Sequence, residues 1–212
     1  MSTTQLFEDI TFTENESYER IISDLITKKY SIVDDFFTLE DVSTLRESLL
    51  IKYEEDSFKK SAIGNYTNQE IDKTIRGDFI LWIDEKKEEP TEQLFFAKVN
   101  SLVSYLNKTC FLGILTKEFH YAIYPTGTFY KRHLDTFQND DRRKLSMVFY
   151  LNEDGWLPEF GGELTLYLDE GDKTILPLPG RVVIFESQVI EHEVKRVMAN
   201  ERLSITGWLK TR

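Results

Sequence analysis

The feature that most constrains this chain is a change of hydrophobic period near residue 118. From Glu118 to Lys210, apolar and polar residues alternate in short runs, and no stretch keeps the three-and-four spacing of a helix. Eight runs stand out, at 118–124, 128–135, 145–152, 162–169, 173–177, 181–186, 192–198 and 202–210. The breaks hold Pro125 with Gly127, Asn139-Asp140-Asp141, Gly161-Gly162, Gly171-Asp172 and Pro179-Gly180. These are the residues that supply the fixed or positive φ angles of turns. Eight short strands with no helix between them suggest a double-sheet jelly roll. The expected architecture is α+β: a double-stranded β-helix, cupin-like, with N-terminal helices packed on one sheet.

Before residue 118 the pattern is mostly helical. Tyr18, Ile21, Ile22, Leu25, Ile26 and Tyr30 recur on one helical face, and Ser31-Ile32-Val33 follows as a short apolar strand. Thr38 is a candidate N-cap for a second helix that buries Val42, Leu45, Leu49 and Tyr53. A third helix, over about 92–107, would bury Phe95, Val99, Leu102, Val103 and Leu106. Ser57 to Pro90, with Gly64-Asn65, Gly77 and the charged run from Asp84 to Glu89, reads as largely loop. Residues 1–14 are polar and expected to be mobile. The organisation expected is an N-terminal extension over 1–30, partly helical, and one folded domain over 31–212.

Composition narrows the function. The chain has 212 residues, with 26 Lys plus Arg against 37 Asp plus Glu, so its formal net charge is -11. Such an acidic chain is poorly suited to sequence-independent duplex binding, which needs cations to replace counterions on phosphate. No nucleic-acid partner is expected. The lone Cys110 excludes an internal disulfide and a Cys-based zinc knuckle. There is no apolar run near the ~18 residues of a membrane span, and the first residues lack the basic start and apolar stretch of a secretory signal. A cytoplasmic protein with no membrane partner is expected. The charge is uneven: residues 1–117 hold 14 basic and 22 acidic side chains, residues 118–212 hold 12 and 15.

The chemistry rests on few residues. Of only three histidines, His133 stands two before Asp135, on the same face of a strand. His192 opens the seventh run, far enough along a jelly roll for the chain to return beside the second. Two imidazoles and a carboxylate on one side of a metal form the facial triad of non-haem Fe(II) oxygenases. Taken alone, His-x-Asp is common, and His192 among Glu191, Glu193 and Lys195 could be a surface histidine. Arg202, ten residues after His192, adds a planar fork suited to a carboxylate. Alternation places it on one face with Ser204, Thr206 and Trp208. An outward Arg paired with a surface acid is the alternative.

Taken in order, His133-Leu134-Asp135, His192 and Arg202-Leu203-Ser204 resemble the Fe(II)/2-oxoglutarate dioxygenases of the prolyl 4-hydroxylase superfamily. The likeness is closer to the prolyl hydroxylases that modify hypoxia-inducible factor and their bacterial relatives. Ile75-Arg76-Gly77-Asp78 with Trp82-Ile83 is similar to that branch's Arg-Gly-Asp…Trp-Ile loop. Tyr124-Pro125, Tyr130, Tyr150-Leu151-Asn152, Gly161-Gly162-Glu163-Leu164 and Trp208 match later segments in order. The likeness covers about 31–211 and is strongest from 118 onward.

The resemblance implies Fe(II) held by His133, Asp135 and His192, with no catalytic group beyond these ligands. It implies 2-oxoglutarate and O2 as co-substrates, ascorbate as a candidate auxiliary, and hydroxylation with succinate and CO2 as co-products. Arg202 and Tyr150 would meet the distal carboxylate of 2-oxoglutarate, with Tyr124 and Thr206 completing its site. Asp78, Trp82, Tyr130, Arg142 and Trp208 would serve the second substrate. Bacterial members of the branch act on a prolyl residue of a protein, elongation factor Tu being the known kind of target, so the implied partner is a proline-containing protein or peptide. His120 shares the face of Tyr124 and Ala122; it reads as a hydrogen-bonded strand histidine, at a position apolar in the relatives. The competing readings are a nucleic-acid demethylase, hydroxylation of another side chain such as lysine, and a jelly-roll binding module whose triad is vestigial or holds zinc. Lys131, Arg132, Arg142, Arg143 and Lys144, which form a basic cluster in the sequence, speak for the first of these.

Overall fold

The computed structural model describes residues 13–55, 57–60, 75–87, 89–136 and 142–211. Residues 1–12 of the polar N-terminus, Gly64-Asn65 and the Asn139-Asp140-Asp141 turn lie outside them. Three helices, α1 (Glu16–Lys28), α2 (Leu39–Glu54) and α3 (Pro90–Cys110), combine with β1 (Tyr30–Val33), β2 (Lys59–Lys60), β3 (Phe79–Ile83) and β4 (Thr116–Tyr124). Then follow β5 (Tyr130–His133), β6 (Arg143–Tyr150), a 3-10 turn at Pro158–Phe160, β7 (Leu164–Tyr167) and β8 (Lys173–Ile175). The last strands are β9 (Val182–Glu186), β10 (Glu191–Val194) and β11 (Arg202–Lys210). All eight sequence-expected strands are present.

They form two antiparallel sheets, a large one in the order β1-β9-β6-β11-β4-β3-β2 and a small one in the order β5-β10-β7-β8. This is the double-stranded β-helix with helices on one sheet. Alternation along the long strands divides the interior in two. Phe119, Tyr121, Ile123, Met147, Phe149, Ile205 and Leu209 point to the helices, joining Ile21, Leu45, Phe95 and Leu102. Ala122, Tyr124, Val148, Tyr150, Val183 and Phe185 point the other way, toward Leu164, Leu166 and Val194 of the small sheet.

Local chemistry sets the helix ends. Asn15 caps α1, its side chain accepting from the Tyr18 amide at 3.0 Å. Thr38 caps α2 through a capping box with Asp41, and Pro90 supplies a pre-set φ at the start of α3. Two expectations need correction. The helical periodicity carries Tyr30 into α1, but Lys29 at φ 67° ends the helix and Tyr30 pairs with Phe185 in β1; Ile26 is exposed. The segment read as loop contains β3, which pairs with β4 from Phe79↔Ile123 to Ile83↔Phe119. Among the described residues no helix is long and apolar enough to cross a membrane.

The helices and the large sheet meet in a cluster of rings. Phe95 of α3 lies 5.1 Å from both Phe119 and Phe149, 5.3 Å from Phe96 and 5.9 Å from Phe37, between ring centroids. It is fully buried. Phe95→Ala is expected to lower stability by about 3–5 kcal/mol, measured as a reduced urea midpoint at unchanged m-value. A loss below about 1 kcal/mol would mean that the cluster does not join the layers.

Candidate metal centre

The small sheet brings together residues that are distant in sequence. β10 pairs antiparallel with β5, and His192 stands directly across from His133. Asp135 follows two residues after β5 and turns its carboxylate between the rings. His133 Nε2 is 3.5 Å from Asp135 Oδ1, and His192 Nε2 is 3.5 Å from Asp135 Oδ2. One ligand atom from each residue falls within 4.8 Å of the others.

Each imidazole is oriented by a backbone carbonyl. His133 Nδ1 lies 2.7 Å from the Lys131 carbonyl, and His192 Nδ1 lies 3.3 Å from that of Ile190. A carbonyl only accepts, so each Nδ1 carries the proton and each Nε2 keeps its lone pair for a metal. Burial pushes the His192 pKa down to about 4, keeping the ring neutral. Burial opposes ionisation of Asp135, but His192, His133 and a hydrogen bond from Ser146 outweigh it and hold the carboxylate well below its usual range. Ser146 Oγ donates to Asp135 Oδ2 at 2.7 Å and lies 2.9 Å from Ser187 Oγ. Two imidazoles, each presenting Nε2, and one carboxylate are the donor set of a divalent first-row metal with open positions.

Behind this group lies a second polar site. Arg202, on β11, is 1% exposed and has no carboxylate partner among the described residues. Its only hydrogen bond there runs from Nη1 to Ser204 Oγ at 3.3 Å, while Nε has no acceptor. The guanidinium lies 5.0 Å from the ring centroids of both Tyr124 and Tyr150, and the Tyr150 hydroxyl is also unpartnered. A buried cation left this way is costly unless an anion joins it. The pocket thus fits a carboxylate that meets a guanidinium fork and a phenol together. Thr206 lies beside it, 3.5 Å from Ser204 Oγ. Asn152 fixes the strand end, donating to the Glu201 carbonyl at 2.9 Å and accepting from the Leu203 amide at 3.3 Å. Gly162, at φ 73°, leaves the room that Arg202 fills, since an added Cβ would stand 3.3 Å from Arg202 Cδ.

The remaining expected residues spread over two neighbourhoods. Asp78 is buried and bound at both oxygens by Arg76, at 2.8 and 2.6 Å. Arg76 lies 4.3 Å above the Tyr130 ring, and Tyr130 stacks on His133 at 3.7 Å, so the Arg-Gly-Asp loop ends against a triad member. Trp82 and Trp208 flank His120, with centroids 5.0 and 5.5 Å from its ring. Trp82 is 48% exposed and Trp208 is buried. Arg142 is exposed, one residue before β6. His120 departs from its expectation: it is buried, and its Nδ1 has no hydrogen-bond partner among the described residues.

Ser146 and Arg143 escaped the sequence reading. Ser146 stands on the face of Tyr150, four residues away, which is the signal that could have found it. Arg143 was one of a charge run, yet it donates to Glu118 at 2.7 Å and to the Asp135 carbonyl at 3.2 Å. Its guanidinium also covers the Trp208 ring at 3.6 Å. Only tertiary pairing reveals those partners.

Comparison with known proteins agrees with this geometry. Residues 119–210 match the model of the 2OG-Fe(II) oxygenase superfamily. Human Egl nine homolog 1 is 32% identical over 192 residues, covering 84% of this chain and 42% of that protein. A prolyl-4-hydroxylase structure from Pseudomonas putida is 36% identical with a TM-score of 0.82, covering 92% of this chain and 99% of that one. A Trichoplax adhaerens prolyl hydroxylase, solved with a peptide fragment of the hypoxia inducible factor oxygen degradation domain, is 28% identical with a TM-score of 0.81, covering 92% and 89%. The chain spans between 28% and 54% of the length of the first animal relatives it matches.

If Ser146 orients the carboxylate, Ser146→Ala should weaken divalent metal binding about tenfold to a hundredfold. Calorimetric titration of the variant with Mn(II) or Co(II) measures it, alongside an unchanged circular dichroism spectrum. Equal affinity in the two proteins would remove Ser146 from the site.

Proposed function

The chain belongs to the 2OG-Fe(II) oxygenase superfamily, in its prolyl 4-hydroxylase branch, and from that premise we propose that it hydroxylates a prolyl residue in a protein substrate. The observation that carries the proposal is the pairing of a complete His-Asp-His group with a buried Arg202 that has no carboxylate partner among the described residues. In this reading His133, Asp135 and His192 hold Fe(II), and Arg202 with Tyr150 holds the distal carboxylate of 2-oxoglutarate, walled by Tyr124 and Thr206. When bound, the iron, 2-oxoglutarate and O2 supply the oxidation that turns a C–H bond into C–OH, with succinate and CO2 released.

The chain's own residues supply position and dryness. Ser146 and Arg143 fix both ends of Asp135, one at the side chain and one at the backbone carbonyl. Phe185 and Tyr130 cover the two imidazoles at 4.6 and 3.7 Å, restricting their rotation and excluding water. Trp82, half-exposed at the edge of the site, and Trp208 offer apolar faces on which a pyrrolidine ring packs.

The side chains add to the argument that the net charge makes against a nucleic-acid substrate. Two members of the expected basic cluster pair with acids: Arg143 binds Glu118, which Lys210 also binds, and Arg132 binds Glu191. A protein substrate, with translation factors among the candidates, suits this balanced rim better.

Succinate release coupled to a proline-containing substrate is expected to fall to background in His133→Ala and in Asp135→Ala. Arg202→Met is expected to raise the 2-oxoglutarate KM at least a hundredfold while still binding Mn(II). Wild-type rates in both ligand variants would sink the oxygenase reading. In the proteome of cells with and without the gene, prolines carrying one added oxygen should be found only with it; hydroxylation confined to free amino acids would overturn the protein substrate.

A further inference from the structure

His120 stands where the large sheet has no structural need of a polar group. The sheet places residues in rows across its strands. One row, Glu118–Trp208–Ser146, ends at the serine that holds Asp135. Another, Ala122–Ser204–Tyr150, holds the pocket of Arg202. The row between them reads Trp82–His120–Thr206–Val148, from the open edge inward.

The ring is buried, yet its Nδ1 has no partner among the described residues. Burial pushes its pKa down to about 4, so it is neutral near pH 7, with one nitrogen donating and the other accepting. An unpaired nitrogen so placed costs stability unless a ligand completes it. Its walls narrow the choice of ligand. Trp82 and Trp208 lie 6.3 Å apart between ring centroids, with planes inclined at 42°, and present apolar faces beside the imidazole. A prolyl unit has an apolar ring that packs on such faces, and its amide nitrogen carries no hydrogen. Around the proline nitrogen the peptide therefore offers carbonyl acceptors and needs a donor.

We propose that His120 is a specificity-determining residue, donating its Nδ1–H to a backbone carbonyl of a prolyl peptide whose ring packs against the faces of Trp82 and Trp208. This rests on the prolyl hydroxylase reading above. It sets the chain apart by substrate recognition: an apolar residue at this position could pack the ring but could not orient the carbonyl. His120→Met keeps the volume and removes the donor, while His120→Gln keeps a donor of similar reach.

The probe is the most rapidly hydroxylated member of a library of proline-centred synthetic peptides. His120→Met should raise the peptide KM about tenfold to a hundredfold, with the 2-oxoglutarate KM and Mn(II) affinity unchanged. His120→Gln should recover most of the loss. With only three histidines, two of them assigned to the metal, the imidazole signals of the 15N-labelled wild type are separable. Adding the peptide to the Zn(II)- and 2-oxoglutarate-loaded protein should shift the His120 Nδ1 signal. A methionine variant matching the wild type on the peptide would overturn the role. So would a His120 signal moved by 2-oxoglutarate alone and unaffected by peptide, which would place the ring on the co-substrate. If the wild type hydroxylates no peptide in the library, the prolyl reading itself falls and this proposal with it.

Discussion

Pairing of β10 with β5 is the constraint on which the site depends. Both strands have four residues, and their ladder is irregular between His192 and Val194. A slip of one residue would turn His192 to the opposite face. The register is therefore fixed from outside the pair. On one side β7 sets His192 across from Leu166 and Val194 across from Leu164. On the other, the Gly127 amide donates to the Val197 carbonyl at 2.7 Å, and the Val197 amide to the Thr128 carbonyl at 2.9 Å. Gly161 makes the approach possible, because a Cβ there would stand 2.1 Å from the Arg196 carbonyl oxygen. The glycine motif and the metal ligands are thus parts of one device, though they are far apart in sequence.

Electrostatics gives the second constraint. A fold that buries Arg202 without an anion is less stable than it could be, and the surrounding polar groups only partly offset the cost. Tyr150 carries an unpaired hydroxyl next to it, and burial raises the pKa of that phenol. The cup is therefore short of acceptors, with Asn152 fixing the strand end beside it and Gly162 leaving room for the Arg202 side chain. Binding energy for a carboxylate comes from groups already in place, with little reorganisation. Asp135 faces the opposite problem, a buried anion, to which Ser146 Oγ donates at 2.7 Å and which a cation held with the two imidazoles would balance.

The sequence carried the parts of this arrangement that depend on local pattern. The spacing of His133 and Asp135 turns both side chains to one side, although β5 ends at His133, and the alternation around Arg202 places it with Ser204 and Thr206. The eight strands and the cap at Thr38 were legible for the same reason, since period and turn chemistry act within a few residues. β3 was not. Phe79-Ile80-Leu81-Trp82-Ile83 is an unbroken apolar run beside loop-like sequence, with no alternation to mark it as a strand. Tyr30 continued the helical period of α1 although a left-handed Lys29 had already ended the helix. Arg143 was harder still, because nothing local distinguishes a solvated arginine from one bound to Glu118, Trp208 and the Asp135 carbonyl.

β4 explains how such a site can vary without loss of the fold. Its Phe119, Tyr121 and Ile123 face the helices within the ring cluster around Phe95, where shape is demanding. Its His120, Ala122 and Tyr124 face the site, where the neighbours are a half-exposed Trp82 and the binding cup. One face secures the strand in position and register, leaving the other free to change chemistry. An imidazole at residue 120 fits between two indoles as an apolar side chain would, so the exchange disturbs packing little. What it adds is a hydrogen-bonding edge beside the path to the metal. β3, between β4 and the short β2, has the same division of labour, since its pairing with β4 needs only backbone groups, and Trp82 is left available at the rim.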